Sequence, residues 1–146
     1  MSSSKSVPDP SASFFPWSQA EHSVHISLFD EEHKRIFSQI SSIHTASKER
    51  NNRPHLQLLM EKVIKETRSH FDHEEQVLRE SDFEGWQEHA AQQEASVKEA
   101  LHLAKQFRDG YISAMILPTF LRNWFIGHIQ ESDRRYTKHL QGLGHL

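Results

Sequence analysis

A chain of 146 residues with 17 basic and 20 acidic side chains, net charge -3, has no cationic field to offer nucleic acid or an anionic membrane surface. It has no cysteine, which excludes a disulfide framework, a thiolate zinc site and a cysteine nucleophile together. Nine Phe and three Trp supply bulky apolar mass for a single core, and only five Gly and five Pro predict long helices. No apolar run approaches the roughly 18 residues of a membrane span. The N-terminus shows no apolar secretory segment, so the cytoplasm is the expected location.

Residues 1–16, rich in Ser and Pro, read as a flexible arm whose end Phe14, Phe15 and Trp17 should pin to the domain. Four amphipathic segments follow. The first is predicted to start at Asp30 as N-cap, with Glu31 and Glu32 in the first turn, where the helix dipole favours them. Its apolar stripe is Ile36/Phe37, Ile40 and Ile43, and it fades into polar residues 47–52. The second opens near Pro54, a residue suited to a first helical position, and ends around Ser81. Its stripe is Leu56, Leu59/Met60, Val63, Thr67, His70, Glu74 and Val77/Leu78. The third runs from about residue 85 to 109, with Gly110 as its stop. Its stripe is Trp86, His89, Gln93, Val97, Ala100/Leu101, Ala104 and Phe107. The fourth has Pro118 near its start, carries Leu117, Leu121, Trp124 and His128, and continues past Asp133 and Tyr136 to stop in 142–144. Short connections between four such helices predict an all-α, antiparallel up-down-up-down four-helix bundle over 17–141, with a C-terminal tail at 142–146.

The informative feature is where polar residues fall. His33 extends the first stripe backwards. His70 and Glu74 interrupt the second, His89 and Gln93 the third, and His128 the fourth. Burying such groups unpaired costs about 1–3 kcal/mol for a neutral group and far more for a carboxylate. So many from four helices call for a common partner, and a metal is the simplest. His70 and Glu74 stand four apart, one turn along a face, as do His89 and Gln93. His128 and Asp133 stand five apart, less obviously convergent on an α-helix. Imidazole and carboxylate without sulfur suit iron, and less specifically manganese or zinc. Two carboxylates, Glu74 and Asp133, suggest two metals, because carboxylates can bridge.

Taken together, Asp30-Glu31-Glu32-His33-Lys34, the run from His70 to Glu75, His89, and Trp124-Phe125-Ile126-Gly127-His128 leading to Asp133 resemble the hemerythrins, nearest to the bacterial branch. Trp17 and Tyr136 also fit, and the resemblance spans about residues 15 to 140. It implies two Fe ions, joined by an oxo or hydroxo group and by carboxylates, that bind O2 inside the bundle. By the same resemblance His33 and His70 would hold the iron that takes O2. Glu74 and Asp133 would bridge, and His89 and His128 would hold the second iron. The family has a further His where this chain has Gln93. That amide could ligate weakly, leave a position to water, or only hydrogen-bond. Glu94, one residue on, would reach inward only if the helix bulged.

Trp124, Phe125 and Ile129 flank His128 as packing residues or as walls of a dry O2 pocket. His73 and Glu75 lie off the stripe, and His22, His25, His44, His55, His102, His139 and His145 are expected at the surface or boundary. Glu99 and His102 form one Glu-x-x-His, whereas ferritin-like centres need two. The expected function is O2 binding for storage, delivery or sensing by a monomer or small homo-oligomer, with no organic substrate. The alternatives are a di-iron peroxidase or an O2- or NO-reducing enzyme, an iron, redox or O2 sensor acting through a separate partner, and a metal-poor remnant.

Overall fold

In a computed structural model that describes residues 14–129 and 133–143 (the side chain of Asp133 excepted), the chain is an all-helical antiparallel bundle. Its long members are α2 (Ser27–Ala46), α3 (Arg53–Glu80), α4 (Trp86–Arg108) and α5 (Leu117–Gly127), preceded by the short α1 (Gln19–His22) and followed by α6 (Thr137–Gly142). Helix α2 packs on α3 and α5, and α3 on α4, so the apolar stripes meet along one axis. Among the described residues no helix is long and apolar enough to cross a membrane.

Helix α2 begins at Ser27, three residues before the expected start, and Asp30 is not its cap. Asp30 lies buried in the first turn. Its carboxylate reaches back to accept the Val24 N–H at 2.9 Å and the Ser23 hydroxyl at 2.6 Å. A side chain inside the turn thus satisfies the entering backbone, and apolar Ile26 can occupy the cap position. Helix α3 opens with Pro54 in its first turn, and α4 stops before Gly110, whose φ of +86° suits a residue without a Cβ. On α4 the stripe includes Leu103, buried, rather than Leu101, which is exposed.

The fourth helix is not one continuous rod. A 3-10 turn (Ala114–Ile116) leads into α5, the backbone becomes π-helical at His128 and Ile129, and a second 3-10 turn (Asp133–Tyr136) precedes α6. A π turn bonds residue i to i+5, so it sets positions five apart over one another, where an α-helix would fan them apart.

Phe15 stacks on Phe37 with ring centroids 3.7 Å apart and donates its N–H to Ser41 Oγ, while Phe14 stacks on His44. The arm's first 13 residues lie outside those described. His22, expected at the surface or boundary, is buried instead among Phe15, Trp17 and Phe37. The ring packs there as an aromatic because its Nδ1 accepts the Ser18 N–H at 2.9 Å, so no polar atom is stranded. Burial lowers the pKa of His22 below the ordinary value, with the opposing effect of Glu21 too small to reverse it. A folded pKa depressed in this way means that the unfolded chain takes up the proton first. His22 therefore supports folding above about pH 6.5, and that support is lost as pH falls toward its folded pKa. In the metal-free protein, the stability gap between wild type and His22→Gln should be wide at pH 7.5 and narrow at pH 5.5. Chemical denaturation at the two pH values reads it, and a constant gap would show that His22 does not titrate with folding.

Candidate metal centre

The helices bring His33 from α2, His70 and Glu74 from α3, His89 and Gln93 from α4, and His128 from the turn after α5 into the bundle interior, and all six are buried. His33, His70, Glu74 and His128 each offer a ligand atom, and these atoms all lie within 4.8 Å of one another. His33 Nε2 and His70 Nε2 are 2.8 Å apart, and Glu74 Oε2 lies 3.2 Å from His70 Nε2 and 3.8 Å from His33 Nε2. Such separations match the edges of a coordination polyhedron with bonds of about 2.0–2.2 Å. Three imidazoles and one carboxylate, buried and free of sulfur, fit a non-haem iron and give a small hydrophobe-lined cage no other evident use.

Glu74 is the hub, and its two oxygens face different ways. Oε2 accepts the Tyr136 O–H and looks toward His33 and His70. Oε1 accepts an N–H from Gln93 at 2.5 Å and lies 3.5 Å from His128 Nε2. Burial by itself would raise the pKa of Glu74. The charge of His70 and hydrogen bonds from His128, His33 and His70 outweigh burial and hold the carboxyl well below its usual range. An ionised carboxylate is an acceptor only, which is why the Gln93 amide turns its nitrogen inward.

Glu32 is the functional side chain that the helix-dipole reading missed. Its Oε1 accepts a hydrogen bond from His70 Nδ1 at 2.6 Å and its Oε2 one from His73 Nδ1 at 2.8 Å. The first contact fixes the His70 tautomer so that the Nε2 lone pair faces the cage. Burial opposes ionisation of Glu32, but these hydrogen bonds and the two histidines' charge lower its pKa. Sequence gave only a weak signal, because a residue adjacent to His33 points about 100° away, toward a neighbour whose identity depends on the packing. Glu32→Ala should weaken metal binding by roughly 10–100-fold, measured by competition with a chelator. An unchanged affinity would show that His70 needs no such clamp.

The remaining expected site residues fall as follows. His89 stands apart from the four-residue group, its ring 5.4 Å from Tyr136 and 6.3 Å from His128. Asp133 starts the second 3-10 turn, and its side chain lies outside the described residues. Glu94 does not reach inward: α4 runs as uninterrupted α-helix, and Glu94 is on the surface 3.9 Å from Arg68. Phe125 is fully buried, 5.4 Å edge-on to His33 and stacked on His128 at 5.5 Å, and Ile129 is equally enclosed. Trp124 is half-buried and gives its Nε1–H to the Ser96 carbonyl, facing a surface cleft rather than the cage.

Residues 24–140 match the family described as the hemerythrin HHE cation binding domain. The bacteriohemerythrin of Methylococcus capsulatus is 26% identical over 121 residues, covering 82% of this chain and 92% of that protein. The bacteriohemerythrin of Stenotrophomonas maltophilia is 25% identical over 118 residues, covering 81% and 76%. A crystal structure of wild-type hemerythrin superposes with a TM-score of 0.79 at 24% identity, over 87% of this chain and 98% of its own.

Proposed function

The chain belongs to the hemerythrin family, and from that premise we propose that it binds O2 at a two-iron centre for storage, delivery or sensing. Family and cage together support an iron- and O2-binding protein. The observation that carries the finer reading is the division of Glu74, one oxygen turned to His33 and His70 and the other to His128. A carboxylate so placed suits a bridge between two ions. On this reading His33 and His70 would hold the iron that takes O2, His89 and His128 would hold the other, and Asp133 would serve as a second bridge. Iron held there would supply the reversible electron donation that O2 binding requires. The protein's part is to fix the donors and keep the site dry. Tyr136 and Gln93 hold Glu74, Glu32 holds His70, and Phe125, fully buried against His33, keeps water from that side.

The test is metal analysis by mass spectrometry together with ultraviolet–visible spectra before and after anaerobic reduction and air exposure. Two irons per chain and absorption bands that return with each O2 cycle are expected. Iron that oxidises once and never rebinds O2 would overturn the carrier reading, and a chain that takes up no iron would overturn the metal reading. The second reading, a peroxide-reducing enzyme, is favoured by a polar cleft beside His128. Sustained peroxide turnover with a reductant would select it.

A further inference from the structure

We infer that His73 is a positioning residue for the metal centre: it donates to Glu32, and that bond keeps Glu32 turned onto His70. The inference rests on the reading of His33, His70, Glu74 and His128 as a metal cage, whatever number of ions the cage holds. The contact is built from two pairs of residues three apart. Phe29 and Glu32 share one face of α2, and His70 and His73 share one face of α3. Phe29, fully buried, meets both imidazoles edge-on, His70 at 5.9 Å and His73 at 5.4 Å. Glu32 meets the same two rings with one oxygen each, at 2.6 Å and 2.8 Å. A carboxylate only accepts, so in each contact the proton sits on Nδ1.

The last torsion of a Glu side chain is broad, so a carboxylate held at one oxygen still has room to turn, and one held at both has not. A competitor stands close by. Arg35, three residues along α2, lines the same small recess as Glu32 and His70 and is paired with Glu66 at 3.9 Å. An exposed pair of that kind is weak, so the guanidinium can draw Glu32 outward once Oε2 loses its donor. His73 lies off the apolar stripe of α3 and its side chain is 31% exposed, so it meets Glu32 at the rim of the centre and can be replaced without opening the core.

Ferrous iron is the probe, its affinity read anaerobically by competition with a chelator. The proteins compared are wild type, His73→Leu, His73→Asn, Glu32→Ala and the double variant Glu32→Ala/His73→Leu. Leucine and asparagine have nearly the same shape, and only the asparagine amide offers an N–H near the place of Nδ1. His73→Leu should weaken iron binding several-fold, and His73→Asn should recover most of that loss. In the double variant the leucine should cost nothing further, because Glu32 is the group His73 acts through. Wild-type affinity in His73→Leu, equal weakness in His73→Asn, or a further loss in the double variant each overturns the inference and leaves the cage standing. A wild type that takes up no iron overturns the cage and the inference with it. Leucine is the better helix former, so metal-free His73→Leu should melt no lower than His73→Asn. A lower melting temperature would make the loss one of folding and would overturn the positioning role.

Discussion

Glu74→Gln is expected to lower bound iron at least about ten-fold, since even removal of a group one shell outward costs roughly 10–100-fold in affinity. The substitution keeps the size of the side chain and removes the charge. Both carboxylate oxygens are engaged, Oε2 with Tyr136, His70 and His33, and Oε1 with Gln93 and His128. An amide has only one oxygen, so it can accept from Tyr136 or from Gln93 but not from both. A donor left facing the new N–H must turn over or go unsatisfied, at a cost of up to about 1–3 kcal/mol to the metal-free fold. Glu74→Gln should therefore melt somewhat lower than wild type without metal, and it should gain nothing when iron is added. Glu75→Gln is the control. Glu75 is the next residue, half-buried and 3.7 Å from Arg79, so its loss should leave iron content unchanged. Equal iron in Glu74→Gln and Glu75→Gln would remove Glu74 from the centre.

The existence of the four long helices was legible because their apolar stripes repeat with helical spacing, and Pro54 and Gly110 mark two of the ends by backbone chemistry alone. The gathering of His33, His70, Glu74 and His128 was legible for a different reason. A polar group in an apolar stripe must find a partner, and the same argument brought His89 and Gln93 indoors. What escaped depends on tertiary contact. Asp30 looks like a cap, yet it serves the residues ahead of the helix from inside the first turn. Leu101 and Leu103 differ by two positions on one helix, and only the placement of α3 decides which is covered. His22 carries a polar label, but one hydrogen bond frees its ring to pack with three aromatics. The backbone is π-helical at His128 and Ile129, and no propensity in the local sequence announces that departure from the α-helix.

Phe37→Ala should be the most destabilising single truncation outside the centre, at about 3–5 kcal/mol against a total of about 5–15 for a domain of this kind. Phe37 is buried at a junction of three parts of the chain. Phe15 stacks on it from the arm, His22 meets it edge-on from α1 at 4.7 Å, and Phe125 does so from α5 at 5.9 Å. Alanine leaves a cavity that these neighbours, held by their own helices, cannot all fill. The melting temperature should drop by roughly 10 °C, and Phe15→Ala should cost less, because only the arm's end is released. The double variant should fall short of the sum of the two, since the 3.7 Å stack can be lost only once. The consequence for the centre follows from Phe125, which packs against Phe37 and against the rings of His33 and His128. With Phe37 gone, Phe125 can move into the vacated space, and water gains a route to the His33 side. Iron-loaded Phe37→Ala should thus lose its O2-dependent spectrum faster than wild type at a temperature where both remain folded. If its decay matched that of wild type, Phe125 would be held in place by α5 alone, and the dryness of the centre would not depend on the arm and α2 packed behind it.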